Sequence, residues 1–163
     1  MLISSFVMSK LDYCDVALVG LTRCDLDRLQ SVIDAATRLT VGAQHYDHIS
    51  HLLVDLHWLR MVERIQYKLC VLVYTAAYTD QHHATFNSLS GASVESRRRL
   101  RSVTSSDLMV PATRRSTMGD RAFAVAAQRA WNNLPDVIRH SPSLETFKRS
   151  LKSRLFAVFF DQS

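Results

Sequence analysis

Residues 22–42, TRCDLDRLQSVIDAATRLTVG, decide the fold class of this chain. Apolar side chains recur there every three or four residues, the spacing that places them on one face of an α-helix. The side chains with this spacing are Leu26, Leu29, Ile33, Ala36 and Leu39. Thr22 stands three residues before Asp25, which is typical of a helix start, and Gly42 suits the left-handed conformation that ends many helices. The stretch therefore predicts an amphipathic helix that is capped at both ends.

The same spacing predicts helices further along the chain. Residues 47–56 predict a short helix that Asp47 caps, and residues 59–78 predict the longest amphipathic helix. Another helix is expected to begin at residues 119–120, where Asp120 would be the cap, and to end before Pro135. The last one follows the helix-start signal of residues 141–143.

A polar stretch divides these helices into two groups. Residues 81–106 contain few apolar side chains and many arginines, which favours a linker. Residues 107–111 predict at most one short β segment, which Pro111 would limit. We therefore predict a mainly α protein with a helical, bundle-like region at 1–80, a linker at 81–106 and a smaller basic helical region at 107–163.

Charge is distributed unevenly along the 163 residues. The chain carries 20 Lys and Arg against 15 Asp and Glu, and 13 of those cations but only 6 of the acids lie in residues 91–163. Guanidinium groups bind phosphate oxygens with two parallel hydrogen bonds, so an Arg-rich half suits a polyanion, although a solvated face would have the same composition. The candidate phosphate-binding residues are Arg97, Arg98, Arg99, Arg101, Arg114, Arg115 and Arg121.

Other sequence features limit the compartment and the class of protein. Cys14, Cys24 and Cys70 form no CxxC pair, and we expect them to pack as small apolar side chains in a reducing compartment. No stretch reaches the roughly 20 apolar residues of a membrane span, and the first residues do not read as a signal peptide. We expect an intracellular protein, nuclear or cytoplasmic, with no membrane partner.

No catalytic motif is evident. The sequence contains neither G-x-S-x-G nor a glycine-rich phosphate loop, and no two aspartates are adjacent. His45, His48 and His51 are spaced for a shared metal ion, but a polar helix edge explains them more simply. Trp131 and Tyr74 lie on apolar stripes and are expected in the core. We predict no catalytic residues, no metal site and no cofactor.

Several short motifs resemble one family, the reverse transcriptases of LINE-type (non-LTR) retrotransposons of the jockey and chicken-repeat groups. In the N-terminal half the similar stretches are LDYCD at 11–15, LDRLQ at 26–30, AATRL at 35–39, YDHI at 46–49, LHWL at 56–59 and RIQYK at 64–68. In the C-terminal half they are LRS at 100–102, VP at 110–111, GDRAF at 119–123, WNNLP at 131–135 and FKRSLK at 147–152. Arg60 and Gln128 stand where the family has proline, so two helix breaks are expected to be healed here.

The resemblance implies a fold and a function. In the family this stretch is the helical thumb and the region after it, whereas catalysis depends on an (F/Y)-x-D-D motif that nothing here matches. The leading hypothesis is therefore a non-catalytic piece of an RNA-directed DNA polymerase that binds the RNA or DNA backbone without sequence preference. The alternatives are a helical interaction module that associates with itself or a partner, and a decayed transposon remnant without a selected function.

Overall fold

A computed structural model describes residues 2–78, 108, 110, 119 and 121–161 of the chain. Every regular element among these residues is helical, which confirms the mainly α fold. The helices are α1 (Leu2–Cys14), α2 (Arg23–Val41), α3 (Ile49–Asp55), α4 (Met61–Tyr78), α5 (Phe123–Asn132), α6 (Asp136–Arg139) and α7 (Leu144–Asp161), and a 3₁₀ turn spans Asp15–Leu18. The predicted linker, residues 81–106, lies outside the described residues, so the predicted three-part division stays a prediction.

Helix α2 has the caps that its sequence predicts. The Thr22 Oγ1 accepts a hydrogen bond from the Asp25 N–H (3.3 Å) and donates one to the Asp25 carboxylate (2.7 Å). At the other end Gly42 has a φ of 73°, and its N–H donates to the Arg38 carbonyl at 2.8 Å. Both capping predictions are confirmed, but Leu39, which was predicted to lie on the apolar face, is 67% exposed.

Helix α3 begins differently from the prediction. Its N-cap is His48, which makes no side-chain capping bond. Asp47 accepts a hydrogen bond from the Gln44 N–H at 2.7 Å, so its carboxylate closes the preceding turn and does not cap the helix. The prediction for Asp47 is therefore wrong, because a local turn competes for the same oxygen.

The end of α3 is a Schellman motif built around a histidine. The Trp58 N–H donates to the Leu53 carbonyl and the His57 N–H to the Val54 carbonyl, both at 2.8 Å. His57 occupies the left-handed position with a φ of 55°, where glycine is usual. Because this turn precedes α4, residues 58–60 are not helical. The expectation that a helix continues through Arg60 is therefore wrong.

The first compact unit contains Met1–Ile65 and Leu155–Ser163. Helix α1, which the periodicity did not predict, packs against α2, and α2 packs against α3. The Gln30 Oε1 accepts a hydrogen bond from the Met61 N–H (2.8 Å) and thereby caps α4 from α2. Arg64 forms an ion pair with Asp12 of α1. The buried apolar residues of this unit are Ile33, Ala36, Leu53, Leu59, Met61, Ile65 and Leu155.

The second unit, Gln66–Arg154, has an aromatic core. The Tyr74 ring stacks on Phe147 with 4.3 Å between centroids, and Trp131 lies 5.8 Å from the same ring. The Tyr74 hydroxyl donates to the Ser141 carbonyl at 2.8 Å. Tyr74 and Trp131 are only 3% and 4% exposed, so the prediction that both belong to the core is confirmed.

The C-terminal helices also show one correction and one unpredicted contact. Helix α5 begins at Phe123 after the N-cap Ala122, so it does not open at residues 119–120 as predicted, and Asp120 lies outside the described residues. The helix continues through Gln128, where the break was expected to be healed. Near the end of this helix, the Asn132 side chain accepts a hydrogen bond from the Leu108 N–H and donates one to the Leu108 carbonyl, both at 2.7 Å.

Candidate nucleic-acid interface

The predicted phosphate-binding arginines lie mostly beyond the part of the chain that the structure describes. The six outside it are Arg97, Arg98, Arg99, Arg101, Arg114 and Arg115. The seventh, Arg121, is exposed and lies in the turn before α5, not in the first turn of that helix as predicted. Arg121 forms no ion pair with any acidic side chain in residues 2–78 or 121–161. Within those ranges its guanidinium has no anionic partner.

Exposed arginines at the start of α2 are neutralised by acids of the same helix. Arg23 Nε lies 3.5 Å from an Asp27 carboxylate oxygen, and Arg28 Nη1 lies 3.7 Å from one of Asp25. Pairs at this spacing stabilise a helix by only about 0.3–0.5 kcal/mol, but they cancel the local positive charge. The beginning of α2 is therefore a poor site for a polyanion.

Helix α7 presents two cations without such partners. Arg149 and Arg154 are exposed, and neither forms an ion pair within the described ranges. Lys148 instead lies 3.2 Å from Glu145. With Arg121, these arginines carry uncompensated charge on the second unit. The site prediction omitted Arg149 and Arg154, although the apolar stripe of α7 already placed them outside the core-facing positions.

One arginine of the second unit has a structural position. Arg139 is 7% exposed, and its Nη2 lies 2.7 Å from an Asp136 oxygen within the short helix α6. A guanidinium held this way has little surface left for phosphate. Arg139 is therefore part of the scaffold, in contrast to Arg149 and Arg154.

The candidate metal ligands and thiols are separated in the structure. His45, His48 and His51 are exposed, and among the described residues no three His, Cys, Asp or Glu side chains are grouped to hold a metal ion. Burial raises the pKa of the Cys70 thiol to about 12, which keeps it protonated and unreactive. Cys24 is exposed on α2, so the expectation that it packs in apolar surroundings is wrong.

Tyr67 is the other group with a shifted pKa. Burial raises the pKa of its hydroxyl, the Lys148 ammonium lowers it, and the Glu145 carboxylate raises it. A tyrosine whose pKa is raised is a poorer base and nucleophile near neutral pH. This cluster therefore offers no activated group.

A cleft of about 170 Å³ lies beside the start of α4 in the first unit. Its lining includes two basic side chains, Arg23 and Arg60, and two acidic ones, Asp27 and Glu63. Arg23 is paired with Asp27 in this cleft. A polyanion would meet both carboxylates there, so this cleft does not suit the predicted partner.

Within the described ranges, none of the helices combines the length and the hydropathy of a membrane span. No protein-family model, curated protein or solved structure matches this chain. The resemblance to reverse transcriptases therefore rests on the order and spacing of its motifs. Three of the motif residues, Asp12, Gln30 and Trp131, make the interhelical and core contacts described above.

Proposed function

We propose that this chain is a non-catalytic, helical region of a LINE-type reverse transcriptase that binds the RNA or DNA backbone without reading sequence. Its mainly α fold agrees with the helical thumb that the resemblance implies. The order of the motifs supports the ancestry, and the sequence contains no adjacent aspartates of the kind that a polymerase needs for Mg²⁺. Catalysis is accordingly not part of the proposal.

The observation that carries the binding function is the uncompensated charge of the C-terminal half. Residues 91–163 hold 13 basic and 6 acidic side chains. Within the described part of that half, Arg121, Arg149 and Arg154 are exposed and have no carboxylate partner. Arginines in this state release counterions from a phosphate backbone when they bind it, which gives affinity without sequence preference.

The test is a salt titration of binding to fluorescein-labelled oligonucleotides followed by fluorescence anisotropy. Single-stranded DNA, single-stranded RNA and an RNA–DNA hybrid are compared across different base sequences. We expect the logarithm of the binding constant to fall linearly with the logarithm of salt concentration, by about 0.7 for each phosphate contacted on a single strand. Affinity should change little with base sequence. An absence of binding at low salt would contradict the proposed activity.

Matched arginine variants show whether the uncompensated charges are responsible. Arg149→Ala with Arg154→Ala removes two unpaired cations and should lower the single-strand salt slope by about 1.4. The control is Arg23→Ala on α2, where the side chain is 88% exposed but paired with Asp27. The control should leave the slope unchanged, and a loss of about 0.7 in the control, which is half the loss of the double variant, would argue for net charge alone.

The interaction module is a second candidate that one observation favours. Val32 and Leu39 lie seven residues apart on one face of α2 and are 46% and 67% exposed. Apolar side chains exposed along one helix face favour self-association. Sedimentation of the wild type and of Leu39→Lys tests this, since a dimer that the substitution dissociates would support it. A monomer that binds no oligonucleotide would favour the decayed remnant.

A further inference from the structure

Helix α1 carries two exposed aromatic rings on one face. Phe6 is 64% and Tyr13 is 88% exposed, and their spacing of seven residues brings both onto the same side of the helix. Seven residues of α-helix rise about 10.5 Å, so the rings lie two turns apart. Neither ring contributes to the buried core of the first unit. Exposed aromatic side chains scattered singly need no explanation, but a pair on one face does.

A cation, Lys10, lies between the two aromatic residues in sequence and contacts the Phe6 ring. Lys10 lies on the same face, and its Nζ is 5.8 Å from the centroid of the Phe6 ring. The neighbouring acid, Asp12, is already paired with Arg64, so its negative charge is compensated. The face therefore combines two exposed aromatic rings with one ammonium group, which lies over the Phe6 ring. It differs in this respect from the exposed face of α2, which is aliphatic where it carries Val32 and Leu39.

We propose that Phe6, Lys10 and Tyr13 form a stacking platform for a single strand of nucleic acid. Unpaired bases stack on exposed aromatic rings whatever their sequence, and the ammonium group contacts the phosphates between them. The separation of the rings corresponds to about three nucleotides of a stacked strand at about 3.4 Å each. A duplex does not fit this platform, because its base faces are covered by neighbouring bases. The inference rests on the proposed function and narrows its substrate to unpaired RNA or DNA.

The test compares two probes that differ only in their bases. A fluorescein-labelled oligothymidylate and an abasic oligonucleotide of the same length carry the same phosphates, so their affinity difference reports stacking. We expect the wild type to bind the oligothymidylate more tightly. The double variant Phe6→Ala, Tyr13→Ala should weaken binding to the oligothymidylate at least fivefold for each ring, which is about the lower end of the affinity that one stacked base contributes. Its affinity for the abasic oligonucleotide should equal that of the wild type.

Two further variants separate stacking from charge and from general surface effects. Lys10→Gln should weaken binding to both probes and lower the salt slope by about 0.7. Tyr46→Ala removes a tyrosine that is 81% exposed outside α1, and it should change neither affinity. Circular dichroism checks that all variants keep the wild-type helix content and unfolding midpoint.

Each outcome decides between the platform and the wider proposal. Equal wild-type affinity for both probes, or an unchanged affinity of the double variant, would overturn the platform while backbone binding stands. A wild type that binds neither probe at low salt would overturn the proposed function and the platform together. If the wild type dimerises and the double variant is monomeric with unchanged affinity, the face is an interface between copies and the platform is refuted.

Discussion

The ion pair between Asp12 and Arg64 gives the sharpest test of the first unit. It joins α1 to the start of α4 across 52 residues of sequence. The Arg64 side chain is 13% exposed, whereas that of Asp12 is 50% exposed. The Arg64 Nε is also buried without a hydrogen-bond partner in the described structure. Asp12→Ala would therefore leave a largely buried guanidinium with its acceptor removed.

The exposure of the two partners sets the size of the effect. Breaking a fully buried ion pair costs about 3–5 kcal/mol, and a hydrogen bond to a charged group contributes about 1.5–3 kcal/mol. Because half of the Asp12 side chain is in water, solvent replaces part of the lost interaction and the lower figure applies. We expect Asp12→Ala to lower the free energy of unfolding by about 1.5 kcal/mol.

The assay is urea unfolding followed by circular dichroism and by tryptophan fluorescence, to which Trp58 of the first unit and Trp131 of the second both contribute. A double-mutant cycle with Arg64→Met isolates the pair, because the single Asp12 variant also contains the cost of stranding the arginine. The double variant removes that buried charge, so it should be more stable than the sum of the two single effects predicts. A change below about 0.5 kcal/mol for Asp12→Ala, or strictly additive effects, would refute this reasoning.

Four further predictions concern other residues. Tyr74→Phe keeps the ring but removes the donor to the Ser141 carbonyl, so chemical denaturation should show a loss of about 1 kcal/mol, and an unchanged midpoint would exclude a contribution from this bond. Gly42→Ala should cost about 1 kcal/mol by the same assay, because the added Cβ meets no atom within 4 Å and only the positive φ opposes it; a more stable variant would contradict this. Iodoacetamide should alkylate exposed Cys24 quickly and buried Cys70 only on unfolding, which mass spectrometry of the peptides resolves. Burial raises the pKa of the Cys70 thiol from about 9 in the unfolded chain to about 12 in the folded protein. The contribution of this thiol to stability is therefore full below pH 9 and is lost as the pH rises towards 12. Cys70→Ala should flatten this decline when the free energy of unfolding is measured against pH.

Local sequence patterns predict the helices that carry their own signals. Thr22 and Gly42 bound α2 because each makes its capping contact within four residues, a range that sequence spacing reveals. Asp47 failed as a cap because the Gln44 N–H is equally near and takes the same oxygen. Capping residues are thus easy to recognise, but which of two nearby donors they bind depends on the backbone conformation.

Contacts between residues distant in sequence explain which structural features the apolar periodicity did not predict. Helix α1 has aromatic residues on its exposed face, so its apolar residues do not form one stripe, and its anchor to the first unit includes Arg64, 52 residues away. The bonds from Gln30 to Met61 and from Asn132 to Leu108 likewise join side chains to distant backbone groups. Such pairs have no sequence periodicity, and they become visible only when the helices are packed.

The positions of the motif residues show which of them are explained by the fold and which residues can test nucleic-acid binding. Asp12, Gln30 and Trp131 hold helices together, so their presence is explained by the fold and would persist with or without a nucleic-acid partner. Arg149 and Arg154 have no such structural explanation, because both are exposed and neither forms an ion pair with an acid among the described residues. Binding must therefore be tested at Arg149 and Arg154, where a substitution can change affinity without changing the fold. A loss of affinity on substituting Trp131 would show only that the scaffold had failed.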